Sequence, residues 1–184
     1  MEKDKPVPQK PDLTLVERAC DGDADSFTEL CRRYYPAMVA IAHSIIGDRH
    51  LAEDSAQQTF AKAVRKMSHL KNKSKFAAWL SAICRNVALD LANNKERFQS
   101  AEDISKIAAE SQENDVSEAV KEALNKLPAS AKEIIFLRYY DGMKYEQISA
   151  VLGISEQAIN GRLRRAKKKM ANYLRRNGFG KVQL

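Results

Sequence analysis

The sequence contains few of the residues that form tight turns. Glycine occurs seven times and proline five times in 184 residues, whereas average usage would give roughly twice as many. β-Sandwiches and β-barrels need many glycine- and proline-rich turns between their short strands. No segment alternates convincingly between apolar and polar residues, as a half-buried strand does. The sequence therefore predicts an all-α fold.

Cysteines, long apolar runs and catalytic motifs are also scarce. The three cysteines are irregularly spaced and no apolar segment near Met1 resembles a secretion signal, which argues against a disulfide-stapled secreted domain. No run approaches the roughly 18 apolar residues of a membrane span, so we expect no membrane insertion. The cysteines and histidines lack metal-ligand spacing, and no phosphate-binding loop or nucleophile motif occurs. We therefore expect no metal, no cofactor and no enzymatic activity.

The charge of the chain is positive and unevenly distributed. Its 31 Lys and Arg against 24 Asp and Glu give a net charge of +7 and a pI near 9.3, which favours a polyanionic partner. Segment 159–181 holds nine basic residues and no acidic one, whereas 101–118 holds six acidic residues and one lysine. The C-terminal basic cluster is typical of a surface that binds phosphates.

Helical periodicity divides the chain into two parts. Apolar residues recur at spacings of three and four over 12–97 and again over 116–177. Between them, 98–115 is acidic and poor in large apolar residues, which is typical of a flexible linker. Segment 1–11 is polar with three prolines and predicts a disordered tail, and 178–184 forms a short C-terminal tail. We expect two small helical domains joined by a flexible acidic linker.

The most specific local pattern is a helix-turn-helix in the second half. A short helix over 145–152 is followed by a turn at Gly153, and Ser155 is placed to cap the next helix. Further upstream, Ser130 and Glu133 have the spacing of a capping box and predict a helix over 131–140. The helix after Ser155, as the second helix of a helix-turn-helix, would lie in a DNA groove.

That helix carries side chains suited to base edges and phosphates. Gln and Asn pair with adenine and Arg with guanine, while Lys binds phosphate oxygens. Glycine within a helix costs about 1 kcal/mol relative to Ala, and at 161 it either allows close backbone approach to DNA or is neutral. The predicted DNA-binding residues are Ser155, Glu156, Gln157, Asn160, Gly161, Arg162, Arg164, Arg165 and Lys168.

Four segments resemble a known family. LPASAKEIIFLRYYDGMKYEQISAVLGISEQAINGRLRRAKKKM (127–170) is similar to region 4 of bacterial RNA polymerase sigma factors. SFTELCRRYYPAMVAIA (26–42), AEDSAQQTFAKAV (52–64) and FAAWLSAICRNVALDLAN (76–93) are similar to region 2. Their order, without region 1.1 or a full region 3, resembles the extracytoplasmic-function (ECF) group of the sigma-70 family. The resemblance implies a sigma region 2 bundle and a sigma region 4 helix-turn-helix.

The resemblance also implies roles for two surfaces of the first domain. The helix that binds the β′ clamp helices of core polymerase corresponds to Asp54, Gln57, Gln58, Phe60 and Arg65, with Gln58 where relatives have Glu. The segment that captures the −10 element corresponds to a basic loop over 68–75 and to the helix after it. Its predicted DNA-binding residues are His69, Lys71, Asn72, Lys73, Ser74, Lys75, Arg85 and Asn86. Trp79 shares the apolar face of that helix, so we interpret it as core rather than as a stacking platform.

The implied function is that of a sigma factor acting in the bacterial cytoplasm. The helix-turn-helix would bind the −35 element, the first domain would hold the melted −10 strand, and the partners would be core RNA polymerase, through its β′ clamp helices and β flap, and promoter DNA. Anti-sigma factors are common partners in this family, although no residue here identifies one. The residues themselves leave open a stand-alone helix-turn-helix regulator, a nucleic-acid-processing enzyme and a scaffold protein.

Overall fold

The computed structural model describes residues 12–102 and 115–179, and within these ranges it contains helices and no strand. The predicted all-α fold is confirmed. The predicted tail at 1–11, residues 180–184 of the predicted C-terminal tail 178–184, and residues 103–114 of the predicted linker lie outside the described residues. The α-helices are α1 (Asp12–Cys20), α2 (Ala24–Ile46), α3 (Arg49–Lys66), α4 (Phe76–Glu102), α5 (Asp115–Asn125), α6 (Ala129–Ile135), α7 (Tyr145–Leu152) and α8 (Glu156–Arg176).

Helices α1–α4 form the N-terminal module, a bundle in which α2 packs against α1, α3 and α4. Asp23 and Asp48 cap α2 and α3 by accepting hydrogen bonds from backbone N–H groups of the first turn. Gly47 ends α2 in the left-handed conformation with φ of 72°, which glycine adopts without a steric penalty. Pro36 lies inside α2, on its exposed side.

The segment between α3 and α4 is more ordered than the predicted loop over 68–75. It forms two 3₁₀ turns, Met67–His69 and Lys73–Lys75. Asn72 caps the second turn, because its Oδ1 accepts hydrogen bonds from the backbone N–H of Ser74 at 3.1 Å and from the Ser74 hydroxyl at 2.6 Å. The predicted loop therefore has a local structure of its own.

Helices α5–α8 form the C-terminal module, in which two sequence predictions need correction. α6 begins at Ala129, directly after Pro128, so Ser130 lies inside the first turn and caps nothing. The predicted capping box with Glu133 is therefore wrong. The second correction concerns the predicted helix over 131–140, because the α-helix ends at Ile135. The chain continues as a π-helical turn, Phe136–Tyr140, in which the Asp141 backbone N–H donates a hydrogen bond to the Phe136 carbonyl.

The two modules share a hydrophobic core. One buried cluster combines Met38, Leu80 and Cys84 of the N-terminal module with Ile134 and Ile148 of the C-terminal module. A second, smaller cluster lies between α5, α6 and α8. α4 runs to Glu102, so the helix includes 98–102, which the sequence assigned to the linker. The described residues therefore pack as one body with a shared interior.

Candidate nucleic-acid interface

The helix-turn-helix is held in a fixed geometry by its own core. Ile148 and Val151 on α7 and Ile159 and Leu163 on α8 are at most 4% exposed. Gly153 occupies the left-handed conformation at the turn, with φ of 68°. The predicted cap is confirmed, since the Ser155 Oγ accepts the Ala158 backbone N–H at 3.2 Å. The packed turn therefore fixes the orientation of α8 relative to α7.

The exposed face of α8 presents the residues expected to read bases. Gln157, Asn160, Arg164 and Lys168 are exposed and are spaced by three or four residues, so they share one face opposite the buried stripe. Glu156 is exposed in the first turn, where a carboxylate is favoured by the helix dipole. This arrangement can place amide and guanidinium groups against base edges in a major groove.

Three further basic residues of α8 form a second stripe beside that face. Arg162, Arg165 and Lys169 border a cavity of about 370 Å³ whose floor includes Leu127 and Ala166. The Lys169 ammonium donates a hydrogen bond at 2.6 Å to the backbone carbonyl of Lys126, just past the end of α5. Lys169 is thus hydrogen-bonded within the fold, and Arg162 and Arg165 lie beside the face that is expected to read bases.

Lys167 and Gly161, also on α8, each have a distinct environment. The Lys167 ammonium lies over the ring of exposed Tyr139, 5.1 Å from its centroid, a cation–π geometry. At Gly161 an added Cβ would meet only the Arg165 guanidinium, at 3.5 Å. Packing in this structure therefore does not require glycine at position 161.

The predicted −10 segment contributes a compact basic surface at the start of α4. Lys71 and Lys75 are exposed and Lys73 is half-buried. Asn72 and Ser74 are exposed as well, but they hydrogen-bond each other. The His69 ring accepts or donates a 3.2 Å hydrogen bond with Ser68. The lysines are therefore available to phosphates, whereas the two polar side chains must exchange partners to bind a base.

Farther along α4, the structure separates the two predicted DNA-binding residues. Asn86 is exposed, but Arg85 is half-buried because its Nε lies 2.7 Å from the Glu133 carboxylate of α6. Sequence reasoning missed this partner, since 48 residues separate the pair and Glu133 had been assigned to a capping box. Trp79 is half-buried and packs against the core and Phe76, as we interpreted it.

The predicted polymerase-binding face of α3 is mostly open to solvent. Asp54, Gln57, Gln58 and Arg65 are exposed. Phe60 is only 8% exposed, and its ring stacks on that of Tyr35 at 6.5 Å. Phe60 therefore holds α3 in the bundle, so any effect on a partner is indirect.

Two of the three cysteines have the properties of structural thiols, with Cys84 buried and Cys31 half-buried. Burial raises the pKa of Cys84 to about 11 and that of Cys31 to about 11, so both remain protonated and unreactive near neutral pH. Within the ranges that the structure covers, no group of three or more His, Cys, Asp or Glu side chains could hold a metal ion. In the same ranges no helix has the length and apolar content of a membrane span.

Comparison with known proteins assigns both modules. The family model for sigma-70 region 2 matches residues 30–98, and the model for sigma-70 region 4 matches 117–170. The chain is 27% identical over 183 residues to the ECF RNA polymerase sigma-E factor of Salmonella typhimurium, covering 89% of this chain and 94% of that protein. The chain therefore belongs to the sigma-70 family of RNA polymerase sigma factors, in its ECF group.

Other relatives are longer than this chain. The ECF RNA polymerase sigma factor SigE of Mycolicibacterium smegmatis is 26% identical over 168 residues, which cover 86% of this chain and 65% of SigE. The relative named Probable RNA polymerase sigma factor RfaY, from Xanthomonas campestris, is 32% identical over 171 residues, which cover 86% of this chain and 43% of RfaY. The chain thus spans less than two thirds of the length of these two relatives.

Solved structures of similar proteins share the fold. The structure of CnrH in complex with the cytosolic domain of CnrY matches with a TM-score of 0.61 and 27% identity, over 91% of this chain and 99% of CnrH. The sigma factor RpoE in complex with the anti-sigma factor NepR, from Bartonella quintana, matches with a TM-score of 0.55 and 28% identity, over 83% of this chain and 98% of RpoE.

Proposed function

We propose that this protein directs core RNA polymerase to specific promoters and initiates transcription there. In this proposal the base-reading face of α8 recognises the −35 element as duplex DNA. The basic surface over 68–75, together with α4, recognises the −10 element and holds its melted strand. The exposed face of α3 that includes Asp54 and Gln57 binds the β′ clamp helices, and the C-terminal module contacts the β flap.

The observation that carries the proposal is the presence of two separate basic surfaces on two modules of one chain. One surface is a long helix that fits a major groove. The other is a set of short turns with lysines, which suits a single strand whose bases have left the stack. A stand-alone helix-turn-helix regulator needs only the first surface, so the pair favours a protein that binds a promoter at two elements.

The proposal assigns no catalytic step to this chain. Core polymerase carries out the phosphoryl transfer, and the sigma factor contributes binding energy and placement. The melted −10 strand is favoured because the N-terminal module binds it and not the closed duplex, which shifts the equilibrium toward the open complex. The proposed location is the cytoplasm, where polymerase and promoter DNA are found.

We further propose an anti-sigma factor as a partner. The proposal is supported by the similar structures, in which CnrH is bound to the cytosolic domain of CnrY and RpoE to the anti-sigma factor NepR. The partner is expected to cover one of the two DNA-binding surfaces. Co-expression of the tagged chain with its chromosomal neighbours, followed by purification, would reveal such a complex.

Co-purification with core polymerase tests the central part of the proposal. The tagged chain is mixed with core polymerase lacking any sigma factor, and the complex is isolated by size exclusion. We expect a stoichiometric complex that an established sigma factor displaces. A chain that stays apart from core polymerase but shifts duplex DNA by itself would instead identify a stand-alone regulator.

A further inference from the structure

Tyr139, in the π-helical turn, has the largest exposed fraction, 56%, among the exposed large apolar and aromatic side chains that the structure describes. The backbone around it is fixed, because Leu137 is fully buried and the Arg138 guanidinium donates a hydrogen bond at 2.8 Å to the Met143 carbonyl. π-Helical turns frequently occur at functional sites. The fold therefore holds an aromatic ring in solvent beside the middle of α8.

Lys167 of α8 is held in place by this ring. Its ammonium lies 5.1 Å from the centroid of the Tyr139 ring, which is within the range of a cation–π interaction. The Lys167 side chain is half-buried, whereas that of the next residue, Lys168, is exposed. The ring covers one side of the ammonium, and an ammonium has three N–H donors. Lys167 therefore has a defined position and can still donate hydrogen bonds to a ligand.

The Tyr139 hydroxyl offers a second donor at the same place. Within the described residues this hydroxyl has no hydrogen-bond partner. Tyrosine hydroxyls and lysine ammonium groups both donate to phosphate oxygens in protein–DNA complexes. A single phosphate group has two free oxygens, so it can accept a hydrogen bond from each of the two side chains. The pair of Tyr139 and Lys167 therefore has the chemistry of a phosphate-binding site.

Lys167 and Arg165 lie on opposite sides of the base-reading face of α8. Successive residues of an α-helix are rotated by about 100°, so Arg165 lies about 100° to one side of Arg164. Lys167, three residues after Arg164, lies about 60° to the other side. A recognition helix in the major groove, which is about 12 Å wide, has the phosphate backbone of one strand on each side. Arg165 and Lys167 are therefore expected to face different strands.

We propose that Tyr139 and Lys167 together bind one phosphate at the edge of the −35 element, on the strand opposite to the one that Arg165 contacts. The Tyr139 hydroxyl donates to this phosphate, and the Tyr139 ring positions the Lys167 ammonium for the same phosphate. The contact has no base preference of its own, but it fixes the register of α8 in the groove. The proposal rests on the proposed recognition of the −35 element by α8.

Promoter DNA with single neutral phosphates tests the proposal, using the full-length chain bound to core polymerase. Each phosphate that flanks the −35 element is replaced in turn by a methylphosphonate, on one strand or the other. The affinity of the complex for each DNA is measured by competition with a fluorescent promoter. A variant that lacks the partner of a given phosphate loses its sensitivity to replacement of that phosphate and keeps its sensitivity to the others.

We expect Tyr139→Phe, which keeps the ring and removes the hydroxyl, to lower the affinity about threefold, and Tyr139→Leu to lower it about tenfold. Tyr139→Leu and Lys167→Met should lose their sensitivity to the same methylphosphonate. Arg165→Met should lose its sensitivity only to a methylphosphonate on the other strand. Tyr140→Phe is the matched control, because it removes a hydroxyl from the same turn and keeps the ring, and it should behave as the wild type.

Three results would overturn the proposal. The first is equal affinity of Tyr139→Phe and the wild type, which excludes a bond from the hydroxyl. The second is a weaker Tyr139→Leu variant that remains sensitive to every methylphosphonate, which shows that the ring only supports the fold. The third is that the phosphates of Lys167 and Arg165 lie on one strand. Failure of the wild-type chain to form a promoter complex with core polymerase would instead overturn the proposed function, so the two failures are distinguishable.

Discussion

At the scale of single residues, the exposed face of α8 combines two predicted roles. Asn160 and Lys168 share the exposed face, but an amide can pair with one base whereas an ammonium binds any phosphate. We expect Asn160→Ala to cost about 1–3 kcal/mol at one position of the −35 element and to relax the preference there. Lys168→Ala should weaken all sequences alike and reduce the salt dependence.

Anisotropy titrations against a set of −35 duplexes with single substitutions, at several salt concentrations, measure both effects. The Gln157→Ala variant provides a second base-reading position for comparison. If Asn160→Ala and Lys168→Ala change every duplex by the same factor, α8 does not read bases through this face.

Lys169 differs from its neighbour Lys168 because its ammonium is bonded to the carbonyl of Lys126 at 2.6 Å. A cation near the C-terminal end of a helix is worth about 0.3–1 kcal/mol. We expect Lys169→Met to lower the free energy of unfolding by about that amount in chemical denaturation. The same variant should reduce affinity for duplex DNA less than Lys168→Met does, and a larger loss than that of Lys168→Met would place Lys169 on a phosphate.

At the scale of elements, the exposed face of α3 is predicted to bind polymerase and not DNA. Asp54 and Gln57 are three residues apart and both exposed, whereas Phe60 lies in the bundle. We expect Asp54→Lys to reduce affinity for core polymerase while leaving the helical circular dichroism and duplex binding unchanged, since charge reversal at an exposed site does not disturb the core. Glu53→Lys, one position away on α3, is the matched control. Unchanged affinity in folded Asp54→Lys would exclude this face.

The helices themselves were largely predictable from sequence, and the reasons are local. Gly47 ends α2 and Ser155 caps α8 through contacts with residues a few positions away, and the apolar stripe of α8 follows from its helical spacing. Features that depend only on near neighbours in the chain can be predicted from the sequence. The capping box at Ser130 failed because the helix begins right after Pro128. The pairing of Arg85 with Glu133 could not be predicted, because the packing of two modules, and not spacing along the chain, brings these side chains together.

At the scale of the whole molecule, the packing of the two modules against each other is expected to depend on pH through His43, whose ring contacts Phe136 and Tyr140. Burial lowers the pKa of His43 below its ordinary 6.5, the nearby Asp48 carboxylate opposes that shift, and Arg49 adds to it. Lys121 of α5 and Lys132 of α6 line, together with His43, a cavity of about 410 Å³. Above pH 6.5 the imidazole is neutral whether the modules are packed together or apart, and their packing is strongest. As the pH falls below about 6.5, His43 gains its proton first when the modules are apart, so the packing weakens until the lowered pKa is passed.

Small-angle scattering of the free protein measures this effect as an increase in radius of gyration between pH 7.5 and about 5.5. His43→Phe keeps the aromatic contacts with Phe136 and Tyr140 and should remove the pH dependence. His50→Asn, which deletes an exposed imidazole on α3, should retain it. A radius that is constant with pH in the wild-type protein would contradict the role of His43.

Run-off transcription with a promoter library tests the account most directly. Core polymerase is supplied with the purified chain, and transcripts are mapped from random sequences that flank a fixed start region. The account predicts start sites that depend on two short elements near −35 and −10. Asn160→Ala should alter the preference at the first element, and Lys71→Ala should reduce initiation from all promoters alike, because a lysine binds phosphates. Transcripts without sequence preference, or none above core polymerase alone, would contradict it.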